Sequence, residues 1–312
     1  MFFLPDDKSG DDAAEGGASA AGRSDGASAL ARRTPPVAGG VVGSPTKAVP
    51  ARVLSQIAAL ARRRVLGEFA TRGADDLGEW VGSWFADAAV RDALAKHVTG
   101  RRGVARVRDF LAADVAASLH EELVDTDDWD FVSEARPKYQ YSFLALSDHG
   151  TAFFSPRRPT LRRLYGLLNG PAVKRWAEHI LREPEGTLDA DTTVMATEYR
   201  PGVDYTSLHS DAAERRRLAF VLHLAQDWRP EFGGDLVFVD PVAIVHPEYN
   251  TLNVFKVGGG GNWHMVTPVV PATPARRFAI TGWFNSSSTP AAQPAADAAD
   301  FLLSIDPAKK RG

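Results

Sequence analysis

His209-Ser210-Asp211 places an imidazole and a carboxylate two positions apart. In an extended segment such residues project to the same side, so both can converge on one point while Ser210 points away. A second imidazole stands at His264, in Gly261-Asn262-Trp263-His264, far enough along the chain for several strands to intervene and return to the same cavity. Two histidines and one carboxylate form the facial set that holds a non-haem iron(II) and leaves positions open for another ligand and for oxygen. A His-x-Asp also arises by chance. In the competing reading His209 caps a turn, Asp211 faces water and His264 packs beside Trp263. Arg277 weights the metal reading, because on a strand it shares one face with Ala279, Thr281 and Trp283, leaving Phe278, Ile280, Gly282 and Phe284 on the other. A guanidinium beside small and hydroxyl side chains suits a bidentate grip on a carboxylate, and a buried one needs such a partner.

Composition narrows the chemistry. The chain of 312 residues has no cysteine, which excludes thiol catalysis, disulfides and cysteine-held zinc or iron–sulfur sites, so any metal must take nitrogen and oxygen ligands. With 36 Lys plus Arg against 39 Asp plus Glu the formal charge is -3, too small to hold a polyanion or an acidic membrane, and no direct nucleic-acid binding is expected. A hydrophobic content of 44% supports a sizeable core. No stretch approaches the roughly 18 uninterrupted apolar residues of a membrane helix, and MFFLPDDKSGDD lacks a basic leader. The expectation is a soluble, cytoplasmic protein with no membrane partner.

The elements that must position these residues begin after a tail. Residues 1–50 are dominated by Ala, Gly, Ser, Asp and Pro and are expected to be disordered. Residues 51–103 read as a helical extension: Leu54, Ile57, Ala61 and Val65 recur at helical spacing with Arg62, Arg63 and Arg64 on the wet side, and a second helix runs near Asp75 to His97 with Trp80 and Trp84 in the core. Residues 104–312 form the main domain. It opens on a short extended piece and a helix whose Val115, Leu119 and Leu123 share a face while Asp114 and Glu121 point to solvent. A third helical region spans Thr160 to Leu181, and the aromatic stretch from Trp129 to Phe154, including Tyr139 to Phe143, reads equally as a strand pair or a substrate wall. From about 190 to 286 the pattern becomes short strands, TTVMATEY, RLAFVLHL, GDLVFV, TLNVFKV and RFAITGWF, with no helical stretches between them. That predicts a mainly β domain with α-helical support, an antiparallel sandwich or jelly roll, followed by a short C-terminal tail.

Taken together, Tyr199-x-x-Gly202-x-x-Tyr205-x-x-x-His209-x-Asp211, RRRLAFVLHLAQDW, FGGDLVF, NTLNVF, Trp263-His264-x-Val266-x-Pro268-Val269 and Arg277-x-x-x-x-Gly282-Trp283-Phe284 resemble the iron(II) and 2-oxoglutarate dependent oxygenases, in their prolyl hydroxylase branch. The resemblance implies a double-stranded β-helix of the jelly-roll, cupin-like type with helices against one sheet. It also implies that His209, Asp211 and His264 are the iron ligands, that Arg277 binds the distal carboxylate of 2-oxoglutarate, and that Tyr199 donates a hydrogen bond in the cosubstrate pocket. The cosubstrates would be 2-oxoglutarate and O2, with ascorbate as a supporting reductant. Members that transfer halide have a small residue in place of the carboxylate ligand, so Asp211 favours hydroxylation. The implied partner is a protein or peptide substrate containing proline, such as a translation component.

The sequence departs from the family at His223, where related prolyl hydroxylases commonly have a tyrosine that contacts 2-oxoglutarate. A neutral imidazole can donate one hydrogen bond in its place, and a satisfied core histidine is the equal alternative. Gly233-Gly234 reads as a tight turn, since no phosphate-binding signature accompanies it. Gly258 to Gly261 reads as a mobile rim or a plain hairpin loop, and His246 has the chemistry of a ligand but not the family spacing. Three other functions stay open at this point: hydroxylation of free proline or another small metabolite, a catalytically silent jelly roll that binds protein, and a zinc hydrolase, which would need a base that the sequence does not offer.

Overall fold

The computed structural model describes residues 79–287 apart from 101–102, 136–139, 212–214, 241 and 258–261, together with positions 56, 59, 60, 63 and 77. The expected tail over 1–50, most of the helix expected from residue 51, Tyr139, the Gly258–Gly261 run and the C-terminal tail lie outside the described residues.

The helix expected from Asp75 to His97 is shorter and interrupted. A 3-10 turn, Ser83–Ala86, precedes α1, Ala88–Val98. Asp87 restarts the chain as a helix because its carboxylate accepts from the amides of Ala89 at 2.8 Å and Val90 at 3.4 Å, satisfying donors that the first turn leaves open. After β1 (Val104–Val107), α2 runs Ala113–Val124 and buries Val115, Leu119 and Leu123 as the periodicity requires. The region from Thr160 to Leu181 is two helices, α3 (Pro159–Leu168) and α4 (Pro171–Leu181). Pro171 has no amide hydrogen with which to continue α3 and is preset for the first turn of a new helix. The intervening Asn169 accepts from the amide of Thr192 at 2.7 Å, which ties this break to the sheet.

The remaining strands are β2 (Asp130–Ala135), β3 (Gln140–Ser147), β4 (Leu188–Tyr199), β5 (Tyr205–His209), β6 (Arg216–His223), β7 (Leu236–Val239), β8 (Val242–Val245), β9 (Thr251–Lys256), β10 (His264–Val266) and β11 (Arg277–Ser286). The aromatic stretch is thus a strand pair, β2 with β3. Pairing follows the order β1-β9-β6-β11-β4-β3-β5-β10-β7-β8, with β2 on β3, and each pair is antiparallel. β3 turns the sheet back on itself, since Leu144–Ser147 pair with β4 while Tyr141 and Ser142 pair with β5. The result is a double-stranded β-helix, mainly β, with helices covering one face.

Strand alternation then builds two cores. Ala196, Phe220, Leu222, Val254, Ile280 and Phe284 face outward and pack in one cluster with Leu161, Leu164, Trp176 and Ile180 of the helices. Ala219, Leu236, Phe238, Val245, Phe255 and Val257 form a second cluster inside the barrel. Gly282 has no side chain because there is no room: a Cβ would lie 2.1 Å from the Thr193 carbonyl oxygen and 2.5 Å from Phe220 Cζ. Gly282→Ala is therefore expected to lose about 3 kcal/mol or more of stability, the upper end for overpacking, since a backbone oxygen cannot step aside. Urea unfolding checks this, and a loss under about 1 kcal/mol would mean that β4 and β11 tolerate separation.

Candidate active site

β5 ends on His209 and β10 begins on His264, directly opposite each other in antiparallel register, with ring centroids 4.3 Å apart. Asp211 corrects one detail of the sequence reading: it lies beyond the end of β5, in the following loop, rather than on the strand. Its carboxylate still reaches both rings, with Oδ1 3.7 Å from His209 Nε2 and Oδ2 3.5 Å from His264 Nε2. Each imidazole is oriented from behind: Nδ1 of His209 donates to the Ser207 carbonyl at 2.9 Å, and Nδ1 of His264 donates to the Asn262 carbonyl at 2.8 Å. Both Nε2 lone pairs are thereby left for a metal, the usual outer support of histidine ligands. The three ligand atoms lie within 4.8 Å of one another, and this donor set of two imidazoles and a carboxylate fits iron(II).

The protonation states also fit. Burial pushes the pKa of His264 down to about 4, with the neighbouring His209 adding to the shift, so its imidazole is neutral at neutral pH. Burial acts to raise Asp211, but His264, His209 and Arg216 outweigh it and hold the carboxyl below its ordinary value. Both shifts carry the same sign for stability. The unfolded chain takes up protons at ordinary values that the folded chain resists, so the His264 contribution is full above about pH 6.5 and is lost as pH drops towards 4, whereas the Asp211 contribution is lost only below its ordinary value of 3.8. His264 alone accounts for about 3 kcal/mol of that fall. Urea unfolding of the metal-free protein at pH 7 and pH 4.5 tests it, and equal midpoints would contradict neutral burial of His264.

Arg216 had no role assigned from sequence beyond its place in the arginine run. Its Nη1 lies 3.3 Å from Asp211 Oδ1, and its guanidinium stacks 3.7 Å from the Trp283 ring, because β6 begins beside the end of β11. His246, the alternative ligand, is half exposed and pairs with Asp235 at 2.8 Å, apart from the cluster.

Arg277 opens β11 opposite Tyr199 at the end of β4, and its guanidinium sits 4.9 Å over the tyrosine ring. It is 1% exposed, and its Nε has no hydrogen-bond partner among the described residues. Burial pulls its pKa down, opposed by Tyr199 and Asp235. A buried cation with an open donor fits a carboxylate ligand such as the distal group of 2-oxoglutarate. The glycine pair is the expected tight turn, and it also clears space: a Cβ on Gly234, whose φ is +68°, would lie 2.8 Å from Arg277 Cδ. Tyr199 is buried, stacks on Phe143 at 5.4 Å and shares a hydrogen bond of 2.9 Å with Thr206 Oγ1. His209, Asp211, His264, Arg277, Tyr199 and Thr206 all line one cavity of about 110 Å³. A larger cavity, about 560 Å³, opens between α1 and α4 around Arg91 and Trp176 and includes none of the metal-ligating cluster.

His223 faces the barrel interior, opposite Ala279 of β11 and Thr251 of β9. It is wholly buried, and neither ring nitrogen has a hydrogen-bond partner among the described residues.

Residues 194–285, which contain the whole cluster and Arg277, match the model of the 2OG-Fe(II) oxygenase superfamily. The likeness to that family is one of this segment, not of the whole chain. Two curated relatives resemble it. The prolyl 3-hydroxylase OGFOD1 of Mus musculus is 35% identical over 89 residues, covering 26% of this chain and 16% of that protein. The prolyl 3,4-dihydroxylase OGFOD1 of Ostreococcus tauri is 26% identical over 141 residues, covering 41% of this chain and 27% of that protein. The chain thus spans between about a sixth and about a quarter of the length of these relatives. Among solved structures, a prolyl hydroxylase from Trichoplax adhaerens, in complex with a hypoxia inducible factor peptide fragment, superposes with a TM-score of 0.53 at 15% identity, covering 70% of this chain and 95% of that one. This last likeness is one of fold. Within residues 194–285 the metal cluster therefore has the residues for iron(II), and Arg277 has the chemistry for 2-oxoglutarate.

Proposed function

We propose that this chain hydroxylates a prolyl residue in a protein or peptide, coupled to conversion of 2-oxoglutarate to succinate and carbon dioxide. One observation carries the reading: the His209, Asp211 and His264 cluster and the buried Arg277 open on the same cavity, so a metal and a carboxylate ligand find their partners side by side. When bound, iron(II) with 2-oxoglutarate supplies the oxygen chemistry.

The side chains of the protein do the positioning. His209 and His264 present Nε2 because their Nδ1 hydrogens are spent on backbone carbonyls. Asp211, held by Arg216, contributes the negative charge and fills the position that halide would otherwise need. Arg277 fixes the far end of the cosubstrate, while Phe143, Phe255, Val266 and Trp283 line the cavity with apolar surface that limits water. The choice of a prolyl substrate is supported by the names of the two curated relatives, and the choice of a peptide by the Trichoplax adhaerens complex. Translation components are the first proteins to search.

The test is mass spectrometry of a lysate and a synthetic prolyl-peptide panel incubated with iron(II), ascorbate and 2-oxoglutarate, with succinate measured in the same reactions. A gain of about 16 Da on proline with matching succinate is expected. Succinate without a modified protein would move the substrate to free proline or another metabolite. No succinate at all would overturn oxygenase activity.

A further inference from the structure

The cavity of about 560 Å³ between α1 and α4 has the size of a pocket for a small molecule. Leu77, Val81, Phe85, Ala172 and Trp176 give it apolar walls, with Phe85 stacked on Trp176 at 5.7 Å. Its polar residues divide by what already satisfies them. His179 Nε2 is bonded to Asp92 Oδ1 at 2.8 Å, and the buried Glu178 accepts from the Leu188 amide at 3.0 Å. Arg175 and Glu185 are exposed and stand at the rim. Arg91 Nε, Trp176 Nε1 and Glu183 Oε2 differ, since each is buried without a hydrogen-bond partner among the described residues. The other oxygen of Glu183 accepts from Arg217 Nη2, and Arg91 has no ion pair among the described residues. A dry cavity is ordinarily apolar, and a buried polar atom left open is costly. Two open donors and one open acceptor on one apolar cavity therefore describe a ligand that carries both a negative and a positive group.

We propose that this cavity binds a zwitterion of the α-amino acid class with a large apolar side chain. The two charges it needs come from one end of the cavity. The bond from His179 to Asp92 sets the neighbouring Arg91 against the last turn of α4, and Glu183 follows that turn, two residues beyond Leu181. The Nε edge of Arg91 takes the carboxylate, in the bidentate manner of a guanidinium. Glu183 Oε2 accepts from the ammonium, which the partial negative charge at the C-terminal end of α4 also favours. Ala172 lies about 14 Å back along α4, so the apolar walls extend away from the charged end and receive the side chain. A plain carboxylate would leave Glu183 Oε2 open beside a like charge, and a plain amine would do the same to Arg91. The site shares no residue with the metal cluster, and the inference does not rest on the oxygenase reading.

The test is calorimetric titration of the metal-free protein with L-phenylalanine and L-leucine, beside 3-phenylpropanoate, which lacks the ammonium, and 2-phenylethylamine, which lacks the carboxylate. Saturable binding of L-phenylalanine is expected, with each truncated analogue about tenfold or more weaker, the scale of one hydrogen bond to a charged group. Glu183→Gln, which keeps an oxygen for Arg217, should weaken L-phenylalanine and leave 3-phenylpropanoate unchanged, whereas Arg91→Met should weaken both. Melting temperatures confirm that each variant folds. Arg277→Met should bind L-phenylalanine as the native protein does, and a loss there would put the ligand in the barrel and overturn the site. Unchanged affinity in a folded Arg91→Met variant overturns it as well, as does failure of the native protein to bind either amino acid. Equal affinity for L-phenylalanine and one of the truncated analogues overturns the zwitterion.

Discussion

Asp211→Ala is expected to weaken iron(II) binding by at least about 100-fold, beyond the range seen when only an outer partner of a ligand is lost, and to abolish succinate formation with it. The carboxylate is the single anionic donor between two imidazoles, one of which, His264, is held neutral by burial. Its removal also leaves Arg216, now 3.3 Å from Asp211 Oδ1, as an unopposed positive charge beside the metal position. Loss of the ligand and repulsion from the guanidinium therefore act in the same direction. Because Asp211 lies in a loop after β5 and bears no hydrophobic packing, the fold should survive the change. Anaerobic iron titration and a succinate assay, run on Asp211→Ala beside His209→Ala and His264→Ala, decide the matter. Native turnover in all three variants would remove this cluster from the chemistry.

Arg277→Met is expected to move binding and stability in opposite directions. Truncating one partner of a buried, hydrogen-bonded charge pair costs roughly 2–5 kcal/mol, so 2-oxoglutarate affinity should fall by roughly 30-fold to a few thousand-fold. Without cosubstrate the same arginine is a buried cation with an open Nε, and replacing it by an apolar side chain of similar length should be neutral or stabilising. A merely structural arginine would show the reverse pattern, with lost stability and unchanged affinity. Titration calorimetry with 2-oxoglutarate and thermal unfolding of the metal-free protein read the two effects separately.

Much of this site is legible in the sequence because it rests on short-range periodicity. The two-residue alternation of β11 puts Arg277, Ala279, Thr281 and Trp283 on the barrel interior and Ile280 and Phe284 against the helices, as the pattern of residue types requires. The breaks in the helices are less legible. Asp87 and Pro171 each carry a local signal, but the apolar spacing runs straight across them and hides the boundary.

By itself, the sequence determined a nitrogen and oxygen donor set, its order along the chain, the jelly-roll pattern of strands and the arginine that follows them. The tertiary structure alone decided that His264 lies opposite His209, that Asp211 reaches both rings from outside a strand, and that Arg216 braces it. It alone decided that Gly234 clears the stem of Arg277 and that His223 and Asn253 are buried without hydrogen-bond partners among the described residues. The physical reason is that side-chain direction within one strand follows from its own period of two, whereas contact between strands depends on register and turn geometry, which are set by pairings between residues far apart in the chain.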